Sequence, residues 1–85
     1  MAEVVIYTKE SCAFCFRVKS LFDARGVSYR EIDLEEDPAR EEEMVRLSSG
    51  RTEVPQIFIN GIHIGSSDEL GALETSGRLD ELLNE

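Results

Sequence analysis

Two cysteines, Cys12 and Cys15, are the only thiols in the chain, separated by Ala13 and Phe14. That spacing suits thiol–disulfide exchange, in which one thiolate attacks a disulfide sulfur and a second thiol resolves the mixed disulfide. An ordinary thiol, with a pKa near ~8.5, is only a few per cent ionised at neutral pH, so the attacking sulfur needs a stabilising field. The short apolar run Val4-Val5-Ile6-Tyr7 precedes the pair, and a helical pattern follows from Phe14, with Val18, Leu21 and Phe22 at i, i+3 and i+4. Cys12 is therefore expected at a helix N-terminus, where unpaired N–H groups and the positive end of the helix dipole favour an anion. Lys9 and Arg17 lie close enough in sequence to add to that field. Cys12 reads as the exposed attacking thiol, and Cys15, one turn later on the same side, as a more covered resolving thiol.

Other chemistry fits less well. A pair of inert buried cysteines is one competing reading, since a free Cys often behaves as a small hydrophobe. Half of a zinc site is another, but zinc takes four protein ligands, or three and water. The chain offers one histidine, His63, which falls on a hairpin and reads as a surface residue. Phe14 either walls the site beside the sulfurs, partly exposed, or fills core.

The elements that must position the cysteines can be read from pattern. Val4–Tyr7 is a strand covered on both faces. The helix after the cysteines stops at Gly26, and Val27–Leu34 alternates as a second strand. Asp37-Pro38 reads as N-cap and first helical position of a helix that turns Met44, Val45 and Ser48 inward and ends at Gly50. Gln56–Ile59 and Ile62–Ile64 form a hairpin around Asn60-Gly61. Ser66 and Glu69 stand at capping-box spacing before a last helix that Gly77 splits, with Leu70, Leu73, Leu79, Leu82 and Leu83 inward. The order is β-α-β-α-β-β-α, an α/β arrangement in one domain over residues 1–85.

Eighty-five residues with 41% apolar and 32% charged side chains suit one small folded unit. The net charge of −9 argues against general nucleic-acid binding and against docking on anionic membranes. The acid is uneven: residues 1–26 carry four basic and three acidic side chains, whereas residues 27–49 carry three and eight. The opening residues Met1-Ala2-Glu3 lack a basic leader pattern, and the apolar run after them is far too short for a signal core or a membrane span. A soluble cytoplasmic protein is expected, since two cysteines do not make a secreted disulfide scaffold, and in a reducing compartment a close Cys pair reads as catalytic or metal-binding.

Three separated stretches make the sequence resemble the dithiol glutaredoxins, of the small bacterial type, within the thioredoxin-fold superfamily. They are Tyr7-Thr8-Lys9 leading into Cys12-Ala13-Phe14-Cys15, the run from Ser49 to Ile59 containing Val54-Pro55, and Ile64-Gly65-Ser66-Ser67-Asp68-Glu69-Leu70. The resemblance implies a thioredoxin-like fold with a four-stranded mixed sheet flanked by helices. It implies glutathione as co-substrate, with no obligatory metal, and reduction of protein disulfides and glutathione mixed disulfides by a monomer. It also implies roles: Cys12 as nucleophile, Cys15 as resolving thiol, Val54 as backbone partner of the cysteinyl unit, and Pro55 as a cis-proline. Lys9 and Arg51 match positions that meet the glycine carboxylate, and Ser67 and Asp68 match the γ-glutamyl site. Arg17 supports the thiolate field.

Three positions depart from the family pattern. Ala13 stands where a proline is usual, and in the family loss of that proline is associated with a [2Fe–2S] cluster shared between two protomers. Glu53 stands where Thr usually precedes Val-Pro, placing an acid beside the expected groove. Ser66-Ser67 replaces Gly and a small residue. The competing functions are therefore a cluster-binding glutaredoxin and a glutaredoxin-like carrier reduced by thioredoxin reductase.

Overall fold

The computed structural model describes residues 2–84. Strand β1 (Val4–Thr8) is the sheet's organising element, and the strand order is β2-β1-β3-β4. It pairs in parallel with β2 (Arg30–Asp33) and antiparallel with β3 (Gln56–Ile59), which pairs antiparallel with β4 (Ile62–Gly65). A parallel neighbour needs a crossover, and α1 (Ala13–Ala24) supplies it. The remaining elements are a 3₁₀ turn (Pro38–Arg40) running into α2 (Glu41–Leu47), then α3 (Ser67–Ser76) and α4 (Arg78–Leu83). This is the expected mixed four-stranded sheet with helices on both faces.

The period-2 alternation of β1 divides the core. Val4 and Ile6 join a cluster with Val18 and Phe22 of α1, Ile57 and Ile59 of β3, Leu70 of α3 and Leu79 of α4. Tyr7 faces the other way, with Ile32, Leu34, Phe58 and Met44 of α2. Phe22 is fully buried, and a side chain of that size stabilises the fold by roughly 1.5–3 kcal/mol through burial alone. Both faces of β1 are thus covered, which is why its sequence is a continuous apolar run. Among the described residues no helix is long and apolar enough to cross a membrane.

Two local expectations are corrected. The second strand is only Arg30–Asp33, not Val27–Leu34. The Val27 N–H closes α1 by donating to the Phe22 carbonyl at 3.0 Å, beside Gly26 N–H to Asp23 at 3.1 Å, so this stretch caps a helix instead of joining the ladder. Val27 and Tyr29 still pack against the larger cluster. Asp37 makes no side-chain cap; its carbonyl accepts from the Arg40 N–H at 3.1 Å, and the chain starts with a 3₁₀ turn. At the end of α2 two successive residues take positive φ, Ser49 (58°) before the expected Gly50 (95°), and Gly50 N–H reaches back to the Val45 carbonyl at 2.8 Å. The hairpin follows its sequence signal, with Asn60 at φ 53° and Gly61 at φ 80°.

Candidate active site

Thr8 ends β1 in the interior of the sheet, and the polar turn that follows delivers Cys12 to the N-cap of α1. Its backbone is extended (φ −120°, ψ 106°), and its sulfur accepts a hydrogen bond from the Cys15 N–H at 3.0 Å. A cap normally uses a side-chain oxygen to satisfy one of the first helical N–H groups; here sulfur takes that place. The first turn of α1 holds no acidic residue to offset the positive helix end. The two sulfurs are joined as a disulfide, with Cα atoms 5.2 Å apart. Cys15 is 1% exposed whereas Cys12 is half-buried, so an incoming molecule meets Cys12 first.

The loop before β3 forms the other wall. The Val54–Pro55 peptide is cis, and the Val54 carbonyl oxygen lies 3.8 Å from Cys12 Sγ. Pro55 is buried and Val54 half-buried. A chain of polar contacts holds this loop: Gln56 is buried, its Nε2 donates to the Glu53 carbonyl at 3.0 Å, and its Oε1 lies 2.7 Å from His63 Nε2. His63 therefore corrects the surface expectation. The register of the β3–β4 hairpin sets it opposite Phe58, with ring centroids 5.1 Å apart, and burial makes its protonation harder than for an ordinary histidine.

The α3 side contributes a groove of about 570 Å³ against α1, lined by Arg17, Val18 and Leu21 on one helix and Ser67, Asp68 and Leu70 on the other. Ser67 and Asp68 occupy the first turn of α3, where the Ser66 N–H is satisfied by Glu69 Oε1 at 2.7 Å. The Arg17 guanidinium lies 5.7 Å from the centroid of the Phe14 ring, which is 54% exposed.

Of the three candidate cations Lys9, Arg17 and Arg51, two are paired with carboxylates. Lys9 Nζ lies 3.5 Å from a Glu41 carboxylate oxygen. Arg51 donates from Nη2 and Nε to Glu53 at 2.8 and 3.0 Å, and from Nη1 to Glu69 at 3.2 Å. Among the described residues, Arg17 makes no hydrogen bond to either sulfur. The structure brings together Cys12, Cys15 and Val54 by contact, and Arg17, Ser67 and Asp68 in one groove. Glu53 and Glu69 as shared partners of Arg51 were not visible in the sequence, because Glu69 is a distant position brought in by the β4–α3 turn. Among the described residues, no group of three or more His, Cys, Asp or Glu side chains is arranged to hold a metal ion.

A Cys-X-X-Cys pair at the head of the helix after the first strand, facing a cis-proline loop on a mixed four-stranded sheet, defines a thiol–disulfide oxidoreductase of the thioredoxin-like class. Comparison with known proteins narrows this. The Glutaredoxin family profile matches residues 4–64. Glutaredoxin 3 of Escherichia coli (strain K12) is 52% identical over 83 residues, 98% of this chain and 99% of that protein. The crystal structure of the buckwheat glutaredoxin–glutathione complex superposes with a TM-score of 0.88 at 33% identity, covering 95% of this chain and 76% of that one. The solution structure of glutaredoxin from Brucella melitensis gives 0.84 at 44% identity, over 98% and 89%. The chain belongs to the glutaredoxin family.

Proposed function

We propose that the chain is a glutathione-dependent thiol–disulfide oxidoreductase in which Cys12 is the nucleophile and Cys15 the resolving thiol. The observation that carries this reading is the asymmetry of the pair: Cys12 Sγ is accessible and receives the Cys15 N–H at 3.0 Å, while the Cys15 side chain is buried. In the reduced protein the Cys12 thiolate attacks the glutathionyl sulfur of a mixed disulfide. A bond from Cys12 to glutathione forms, and the substrate thiolate leaves and takes up a proton. A second glutathione, as thiolate, then attacks that sulfur, releasing glutathione disulfide and restoring the Cys12 thiolate. On a protein disulfide, Cys12 forms the mixed disulfide and Cys15 displaces the second substrate thiol, leaving the oxidised Cys12–Cys15 bond.

Glutathione is supported by the glutathione complex of the buckwheat relative and by the groove between α1 and α3 that Arg17, Ser67 and Asp68 line. The Val54 backbone can meet the cysteinyl unit as an added strand. Ser67 and Asp68 at the head of α3 suit the γ-glutamyl carboxylate and amino groups. Lys9 and Arg51 are the cations for the glycine carboxylate, and Arg17 supports the field around Cys12. Pro55 shapes the loop. This reading includes action as a cytoplasmic monomer, and the two clusters sharing one sheet support a single domain.

The test is turnover of a small glutathione mixed disulfide, coupled to glutathione reductase. Cys12→Ser is expected to abolish it, and Cys15→Ser to retain it while losing reduction of a protein disulfide by the dithiol route. Turnover by Cys12→Ser at the unaltered rate would overturn the assignment.

A further inference from the structure

Arg51 is the cation that the proposed reading assigns to the glycine carboxylate, yet its guanidinium is already engaged on two sides. The Nε–Nη2 edge, the side-on fork that a carboxylate uses for two parallel hydrogen bonds, is taken by Glu53 Oε2 at 3.0 and 2.8 Å. Nη1 is taken by Glu69 Oε1 at 3.2 Å, and that oxygen also receives the Ser66 N–H at 2.7 Å. The two acids differ in how firmly they are held. Glu69 is tied to the head of α3 and lies over Gly65, where any side chain would collide with it. Glu53 sits on the loop before Val54, and its carboxylate makes hydrogen bonds to Arg51 alone among the described side chains. Arg51 holds the Glu53 carboxyl below the usual carboxylate range, and the Ser66 N–H, with Arg51 next, does the same for Glu69. Both are anions at neutral pH, so an incoming carboxylate meets one positive charge already faced by two negative ones.

We propose that Glu53 is a specificity-determining residue that acts through Arg51. By occupying the fork edge it opposes ligands that carry a carboxylate next to the cysteinyl unit, and shifts the site toward disulfides whose following residue is neutral or cationic, as inside a protein chain. The proposal rests on the glutathione reading above and refines its substrate class. Glu53 is a positioning residue with no part in the exchange steps, so its charge bears on KM and not on kcat.

The experiment compares two small-thiol mixed disulfides, one of glutathione and one of its glycine amide, in the unaltered protein and in Glu53→Gln. Glu53→Gln keeps the shape and removes the charge. Exposed ion pairs of this kind shift binding by a factor of roughly two to five. Glu53→Gln is therefore expected to lower KM for the glutathione disulfide by that factor, leave kcat unchanged, and leave KM for the amide unchanged. Glu81→Gln, which removes one charge from α4, is expected to move neither value. An unmoved KM for the acid, or equal shifts for acid and amide, would overturn the proposal alone. No turnover of either substrate by the unaltered protein would overturn the glutathione reading and this proposal with it.

Discussion

The Cys15 backbone N–H donates to Cys12 Sγ at 3.0 Å, so the residue that buries its own sulfur also supplies a dipole to its partner's. One Cys-X-X-Cys segment thereby assigns two roles through its position on a helix. The N-cap residue lies half outside the helix and stays accessible, while the residue three places on points its side chain into the core and its N–H back along the axis. No separate base is needed to make the two thiols unequal.

The Tyr7 hydroxyl gives the fold a pH signature on both sides of neutrality. Tyr7 is buried against Phe58, ring centroids 5.7 Å apart, and donates to Glu43. Burial, with the Glu43 hydrogen bond next, raises its pKa to about 12, and the Tyr7 hydroxyl, with Arg40 next, lowers that of Glu43. A raised group stabilises the fold fully below its unfolded pKa, so the Tyr7 contribution is present below ~10 and lost as pH rises toward about 12. A depressed carboxyl works in the opposite sense: the Glu43 contribution is present above the ordinary carboxylate range and lost as pH falls through its own folded value. Tyr7→Phe is expected to flatten both limbs of the stability-versus-pH curve measured by urea unfolding. The alkaline limb should shrink by on the order of 2 kcal/mol. A curve parallel to that of the unaltered protein would refute the assignment.

Ser48 presents the opposite case, a buried hydroxyl without a partner among the described residues. Its desolvation is not repaid by a hydrogen bond, so Ser48→Ala should be neutral to stabilising, within about 1 kcal/mol. Urea midpoints at constant slope check this. Destabilisation well beyond that size would mean that the hydroxyl is bonded in solution.

Gly65 is constrained by both conformation and space. Its φ is +120°, and a Cβ there would fall 2.5 Å from Glu69 Oε1 and 2.9 Å from Glu69 Cβ. The second overlap cannot be relieved by side-chain rotation, because that atom is fixed by the backbone of α3. Gly65→Ala is expected to destabilise by roughly 1–3 kcal/mol in the same urea assay. Unchanged stability would contradict the close approach of β4 to α3.

The parts legible in the sequence are those encoded locally. The cysteine pair at a strand-to-helix junction, Asn60-Gly61 and the Ser66–Glu69 spacing each act within a few residues, and each forms as its residue types require. The second strand reads too long in the sequence because alternation cannot reveal that the Val27 N–H is already used to close α1. His63 reads as a surface residue in the sequence because its partners, Phe58 and the buried Gln56, are set by hairpin register and not by its own neighbours. The Glu53–Arg51–Glu69 bridge joins two segments that only the folded sheet brings together, so a chain-wide charge count could not show that Arg51 is already countered.

The central claim is the division of labour between the two sulfurs, and trapping the mixed disulfide tests it most directly. Reduced Cys15→Ser protein is treated with glutathione disulfide, and the intact mass and the peptide bearing the adduct are determined. One glutathione per chain, attached at Cys12, is the predicted result, with Cys12→Ser forming little adduct at Cys15 under the same conditions. Equal or faster adduct formation at Cys15 would contradict the account.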